Sequence, residues 1–466
     1  MFKKFSLFAL SLCLAACSTS PKGPVLDRGG IRDFNTDVSE INISDNNSFR
    51  VGMLLPLSGA AARHGQGLKN ASMIALEDIN SHNIILQYYD TKSTPEGARI
   101  AAENAIRQKA NLIVGPLMST EVQAIAGETI YQGVPVIAFS TAQEVLQPTV
   151  YTLGLLVEEQ VNRILTYAAQ KDRNRLALLL PDNSTGTAVA KAAVKSAQKN
   201  GIKVTTIGYY KPESSDFSGI IKEMTNYNRR HAEVVRLRAE LTARAASGDK
   251  QAAYELKQMQ TKEGIGDVGF DMVLIPESGA RLTSAISMFA YYDASYPDVL
   301  FLGTSMWEGG KYNNESVMHH ALYPAISRVH SAYFAGKYGQ IFGERPSSLY
   351  SFAYDAIALS NEIARKSSDD INEVITNPDG YSGINGSFRF FADGTNQHSL
   401  DIVEIRPHGD VIVDAAPRRF SGSEQESNLS QIDFSESYTA PKIYGKDSST
   451  AQISIYGKLI PQTVSE

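Results

Sequence analysis

An α/β fold of two doubly wound, Rossmann-like lobes separated by a cleft, with a helical hairpin inserted in the second lobe, is predicted by three features of this 466-residue chain. Short apolar runs that stop at Pro, Gly or Ser alternate with stretches of helical period, the grammar of repeated βα units. That grammar runs through four strands, then starts again near residue 154. Within the second series, residues 228–262 lose the strand pattern and become charged and Ala-rich.

The first unit is residues 51–59, V-G-M-L-L-P-L-S-G. Five apolar or small residues stopped by Pro56 read as a buried parallel strand delivering a loop to the carboxyl edge of a sheet, the edge where open α/β folds bind ligands. A helix over 60–80 follows, with Leu68, Ser72, Ala75, Leu76 and Ile79 at three- and four-residue spacing. Next come a strand over 84–90 ending at Asp90, a helix over 94–109 opened by Thr94-Pro95-Glu96, and a strand over 112–115. A helix over 121–131 and a strand over 134–139, ending at Ser140-Thr141, complete the series. The second series reads as helix 157–170, strand 176–180, helix 188–200 closed by Gly201, and strand 204–209. The insert is expected to be two antiparallel helices broken at Ser247-Gly248-Asp249, either a solvated elaboration or an arm that docks a partner. Strands at 270–275 and 298–302 flank a helix over 280–291, and helices with aromatic faces follow at 333–342 and 350–366. Alternating stretches at 383–391, 399–406 and 411–413 read as antiparallel strands. Residues 421–466 turn to Ser, Gln, Glu and Thr and are expected to be a disordered tail, carrying the repeats K-I-Y-G-K and S-I-Y-G-K.

The N-terminus has a basic head, Lys3-Lys4, an apolar run over 5–14, and L-A-A-C ending at Cys17. This reads as a signal peptide over 1–16, too short for a spanning helix. Residues 17–48, rich in Ser, Asn, Asp and Gly, read as a flexible tether. With only Cys13 and Cys17 in the chain, the folded part has no thiol for a disulfide, a metal or a nucleophile. The net charge of −6 argues against non-specific nucleic-acid binding.

Catalytic and metal motifs find little support, and no catalytic residue, metal or cofactor is assigned. H-E-x-x-H and G-x-S-x-G are absent, and the eight histidines lack ligand spacing. Gly264-x-Gly266-x-x-Gly269 spells a dinucleotide pattern, but it follows a helix and precedes a strand, the reverse of a pyrophosphate cradle. Ser196-x-x-Lys199 lies within a helix without a companion K-T-G. What remains is binding chemistry, since hydroxyls and free amides at strand tips and helix N-termini suit a carboxylate or other anion. Ser58, Gly59, Ser119, Ser140 and Thr141 supply them from the first lobe. Asp182, Ser184, Thr185, Glu277, Ser278, Thr304 and Trp307, the only tryptophan, are expected along the facing edge of the second. Each alone reads as a turn or cap residue; their recurrence at equivalent strand tips carries the argument.

The strand tips V-G-M-L-L-P-L-S-G, V-G-P-L-M-S-T and V-P-V-I-A-F-S-T resemble the first-lobe signature of type I periplasmic binding proteins, the leucine-binding family. The resemblance spans about residues 49–414. It implies a lobe 1 of 49–153 and 328–395 and a lobe 2 of 154–327 and 396–415. It also implies an amino acid whose carboxylate is held by Ser119 and Thr141 and whose ammonium is held by Glu277. V-Y-T-L-G-L, L-L-L-P-D-N-S-T-G, D-M-V-L-I-P-E-S-G-A-R-L and G-T-S-M-W-E-G are similar to the ligand domain of outer-membrane lipoproteins that activate penicillin-binding proteins. L-A-A-C resembles the lipobox of bacterial lipoproteins, which implies a lipid on Cys17, and Ser18 after it favours the outer membrane. Two functions are therefore expected. The leading one is a non-enzymatic lipoprotein that regulates peptidoglycan synthesis by contacting a penicillin-binding protein; the alternative is a receptor delivering an amino acid or small anion to an ABC transporter.

Overall fold

The computed structural model describes residues 48–420 except 82, 143–144, 367–369 and 419, together with 442–444, 452–453 and 459–460. The leader, Cys17, nearly all of the tether and most of the tail lie outside the described residues.

Lobe 1 begins with β1 (Phe49–Leu55), α1 (Ala62–Ile79), β2 (Ile84–Asp90), α2 (Pro95–Arg107), β3 (Leu112–Val114), α3 (Ser119–Tyr131), β4 (Val136–Ala138) and β5 (Val150–Thr152). The strands form one parallel sheet in the order β2-β1-β3-β4-β5. Alternation along β1 sorts its side chains between two cores. Val51, Met53 and Leu55 pack on one face, while Leu54 packs with the alanines of α2 on the other. Gly52 is small for a reason, since a Cβ there would lie 2.9 Å from that of Ala105. The T-P-E opening behaves as its chemistry demands, with the Thr94 hydroxyl accepting the Gly97 N–H at 3.0 Å and Pro95 in the first turn.

Lobe 2 follows as α4 (Val157–Ala169), β6 (Arg175–Pro181), α5 (Ser184–Lys199), β7 (Lys203–Tyr210), α6 (Ser218–Met224), α7 (Tyr227–Ala246), α8 (Lys250–Gln258), β8 (Met272–Leu274), α9 (Gly279–Tyr291), β9 (Leu300–Leu302) and β10 (Leu322–Ile326). α7 and α8 are the expected hairpin. Asp249 caps α8 by accepting the Gln251 and Ala252 N–H groups, both at 3.0 Å, and grips Arg244 at 2.7 Å. Leu176, Leu178 and Leu180 of β6 face α4 and α5, and Ala177 and Leu179 face α6 and α9.

The chain then returns to lobe 1 as α10 (Arg328–Phe342), α11 (Ser348–Arg365) and α12 (Ile371–Ile375), with α11 packed along α1. β11 (Tyr381–Gly383), β12 (Gly386–Phe390) and β13 (Asn396–His398) form a small antiparallel sheet; its Phe388 and Phe390, with Ile384 of the β11–β12 turn, join the lobe 1 core. β13 thus stays with lobe 1, and the last crossing falls after His398 rather than after residue 395. β14 (Leu400–Glu404) and β15 (Val411–Asp414) complete lobe 2, whose sheet runs β15-β14-β10-β9-β8-β6-β7. One tail segment corrects the expectation of disorder: β16 (Lys442–Tyr444) lies parallel to β7 and covers that edge of the sheet. β17 (Gln452–Ile453) and β18 (Leu459–Ile460) pair with each other.

Candidate functional site

All five strands of lobe 1 and β6–β9 of lobe 2 are parallel, so each lobe gathers its loops at one carboxyl edge. In lobe 1, the loops after β1 and β2 are tied together. The Ser58 N–H and hydroxyl donate to the Asp90 carboxylate at 3.0 and 2.6 Å, and the Ser93 hydroxyl donates to the Ser58 carbonyl at 2.8 Å. Burial would raise the Asp90 pKa, but these bonds and the Lys92 N–H hold it below the usual carboxylate value. Gly59, at φ +82°, leaves no room for a Cβ, which would lie 2.5 Å from the Lys92 carbonyl oxygen. Ser58 is therefore spent on an ionised carboxylate, an arrangement that does not suit an anion.

The loop after β3 is different. Ser119 is half-buried in the first turn of α3, and its hydroxyl has no partner among the described residues. Beneath it, Glu121 is wholly buried and accepts the Thr91 hydroxyl at 2.8 Å and the Met118 N–H at 3.2 Å. Burial raises its pKa. Ser140 is buried and accepts the Ala142 N–H at 3.1 Å, a local turn bond. Thr141 is exposed beside the first crossing, its methyl 2.5 Å from where a Cβ on Gly154 would stand.

In lobe 2, Asn183 caps α5 by accepting the Gly186 N–H at 3.1 Å, leaving Ser184 and Thr185 exposed in its first turn. Asp182 is half-buried with Oδ1 unpaired, and burial raises its pKa. Glu277, just beyond β8, accepts the Tyr210 hydroxyl at 3.0 Å, Arg281 Nε at 2.9 Å and the Ser278 N–H at 3.1 Å. Burial and the Glu277 charge raise the Tyr210 pKa, so the phenol stays a donor. Ser278 precedes α9 without capping it through its side chain. Thr304 is buried and caps the 3-10 turn Ser305–Trp307 by accepting the Met306 N–H at 3.4 Å.

Trp307 corrects an expectation, because it does not line the edge. It is 0% exposed in the lobe 2 core, and its indole N–H donates to the Glu277 carbonyl at 2.9 Å. The ring packs over Gly303, where a Cβ would lie 2.2 Å from it. Trp307 thus packs behind the backbone that carries Glu277 and has no surface at the edge.

A pocket of about 330 Å³ opens where β10 hands the chain back to lobe 1. Gly309 and Ile326 contribute from lobe 2, and Phe334, Arg345, Ser347 and Asn385 from lobe 1. None of the strand-tip residues lines it. Its only sequence signal is R-P-S-S at 345–348, where Ser347 caps α11 by accepting the Leu349 N–H at 3.3 Å. The Gly264–Gly269 loop supports no phosphate: Asp267 within it pairs with Arg175 at 2.5 Å. No cluster of three or more metal-ligating side chains occurs among the described residues.

Residues 48–237 match the family model described as periplasmic binding protein. An uncharacterised protein of Methanocaldococcus jannaschii is 26% identical over 202 residues, 39% of this chain and 48% of that protein, so the match spans about half of the relative. Among solved structures, a Rhodospirillum rubrum protein assigned to a branched-chain amino acid ABC transporter superposes with TM-score 0.64 at 14% identity, covering 78% of this chain and all of that one. The leucine-binding protein of Thermotoga maritima gives 0.50 at 17% identity over 79% and 98% of the two chains. A solute-binding protein of R. palustris, solved with benzoate, gives 0.52 at 13% identity over 81% and 98%. The likeness at these identities is one of fold, and the fold is that of the type I periplasmic binding proteins.

Proposed function

We propose that this chain is a non-enzymatic receptor that closes its two lobes over a small solute, an amino acid or a small organic anion, and presents it to a membrane transporter. The observation that carries this reading is Glu277. It is a part-buried carboxylate at a strand tip, held by Tyr210, Arg281 and the Ser278 N–H, with its carbonyl held by Trp307. Ser119, with an unspent hydroxyl at a helix N-terminus, is its counterpart for a carboxylate in lobe 1. The neighbours of known fold include a leucine-binding protein and a benzoate-bound one, which supports both solute classes. The leader and L-A-A-C ending at Cys17 support a periplasmic location with a lipid anchor, the outer membrane favoured.

The test is thermal unfolding of the full chain against amino acids and small carboxylates. A ligand at ~100 times its Kd adds roughly 2.7 kcal/mol and raises the midpoint. Glu277→Gln is expected to weaken amino-acid binding by about tenfold or more, through loss of a charge-assisted bond to the ammonium. Unchanged affinity in that variant would remove Glu277 from the site.

A second reading, the regulation of peptidoglycan synthesis through contact with a penicillin-binding protein, is supported by the hairpin. α7 and α8 leave Val235 54% and Tyr254 60% exposed. Deleting residues 228–262 should then abolish capture of that partner while leaving solute binding intact, and capture that survives the deletion counts against the arm.

A further inference from the structure

By sequence, lobe 2 ends at residue 415 and the tail begins at 421; the residues between them are held by both lobes. We propose that residues 415–420 are a strap across the hinge, anchored by the Phe420 ring on Arg389, that limits how far the two lobes turn about their three crossings. The inference needs the two-lobed fold but no solute, so it stands apart from the receptor reading.

The strap leaves lobe 2 firmly held. Arg163 of α4 donates to the Asp414 carboxylate at 2.7 Å, and the Ala416 N–H donates to the Asp401 carboxylate of β14 at 2.6 Å. Two residues on, lobe 1 takes over, and the Arg418 carbonyl accepts the Ser387 hydroxyl of β12 at 2.7 Å. Phe420 then lies under the guanidinium of Arg389, also in β12, with Cζ 4.6 Å from the ring centroid. The ring also rests against Gly380, where a Cβ would stand 3.1 Å from it. Arg389 is a fixed anchor: it is buried, its Nε donates to Gln397 Oε1 at 2.9 Å and its Nη1 to the Pro378 carbonyl at 3.2 Å.

Geometry turns these contacts into a restraint. Lobe closure is a rotation that the crossings absorb through their backbone dihedrals. The four steps from Ala416 to Phe420 reach at most about 14 Å when fully extended. Pro417 fixes one dihedral on the way, and no glycine falls between 415 and 420. Lobes that separate beyond that reach must break an anchor, and the half-buried Phe420 is the end that can let go. Ser387 couples the strap to the hinge itself, because its N–H donates to Ser399 Oγ at 3.2 Å in the last crossing while its hydroxyl holds Arg418. A turn at Ser399 therefore pulls on the strap. Beyond Phe420 the chain returns to lobe 2 at β16, which pairs with β7.

Double electron–electron resonance on the full chain tests this, with Cys13 and Cys17 changed to serine and spin labels on Gln123→Cys of α3 and Glu223→Cys of α6, both exposed positions. The wild-type strap should give one narrow interlobe distance. Phe420→Ala, a change outside the core, should add a second distance and raise its population about fivefold, the worth of one cation–π contact. Phe420→Tyr, which keeps the ring, should match wild type, and Ser387→Ala should broaden the distance less than Phe420→Ala does. Equal distributions in wild type and Phe420→Ala would overturn the strap. So would a wild type already spread over both distances, or a Phe420→Tyr variant as broad as the alanine one. If Phe420→Ala adds the second distance while no amino acid or small carboxylate shifts either protein, the strap stands and the receptor reading is retired. If a solute shifts both proteins alike and Phe420→Ala changes nothing in its absence, the strap falls and the receptor reading stands.

Discussion

Trp307→Ala is expected to lower stability by about 3–5 kcal/mol, the range for removing a fully buried large aromatic side chain from a packed core. Two losses add. The cavity would open among residues that the Trp307 ring holds apart, including Tyr323, whose ring centroid lies 6.4 Å away. The Glu277 carbonyl would also lose the indole N–H that it accepts at 2.9 Å. The second loss reaches function, because that carbonyl belongs to the residue whose side chain meets Tyr210 and Arg281. Trp307→Phe separates the two. It keeps most of the volume and drops the hydrogen bond, so it should cost only about 1–2 kcal/mol. It should still weaken an amino-acid ligand. Chemical denaturation paired with calorimetry reads both effects. A Trp307→Phe variant with wild-type affinity would show that the indole N–H does not position Glu277.

The same residue shows how far the sequence could be read. Trp307 follows a strand by five residues within G-T-S-M-W, the setting of a ligand-facing aromatic. Its burial depends on the Thr304-capped turn and on Gly303 yielding space, and neither can be seen in a one-dimensional pattern. The βα grammar was legible because a parallel strand buried on both faces must be an unbroken apolar run, as in L-A-L-L-L of β6. β10 was missed for the converse reason. L-Y-P-A-I has Pro324 at its centre, which argues against a strand, yet all five residues are buried and paired antiparallel with β14. The strand-tip hydroxyls were found by position, but only partners distant in sequence decide their use. Asp90 occupies Ser58, whereas nothing described occupies Ser119. The pocket at Arg345 left almost no trace, because it arises where two helices of one lobe meet β10 of the other.

Glu159→Gln is expected to stabilise the chain at alkaline pH, by on the order of 1–3 kcal/mol at pH 8, because it removes a buried carboxylate that has only half its bonds. Glu159 lies in α4 of lobe 2 and reaches across the crossings to accept the His398 N–H of β13, while its Oε2 has no partner among the described residues. His398 Nε2 donates to the Leu153 carbonyl at 3.3 Å, and Asn396 Nδ2 donates to the Thr152 and Gly154 carbonyls at 2.6 and 3.0 Å. These three side chains pin the first crossing to the third. Among the described residues no cation pairs with Glu159: Arg163, one turn along α4, is engaged by the Leu400 carbonyl at 2.8 Å and by Asp414 at 2.7 Å. Burial pushes the Glu159 pKa well above its ordinary value and pulls His398 down to about 4. The two signs are opposite. Glu159, raised in the folded state, contributes stability below its unfolded value that is lost as pH rises through its folded one. His398, depressed, contributes stability above about 6.5 that is lost as pH falls towards about 4. The wild-type profile should therefore fall on both sides, and Glu159→Gln should flatten the alkaline side alone. The glutamine keeps an oxygen for the His398 N–H and carries no charge to desolvate. Thermal midpoints of the two proteins should converge near pH 4.5, where Glu159 is already protonated, and diverge as pH rises. A glutamine variant less stable than wild type at pH 8 would mean that the folded hinge uses the Glu159 charge.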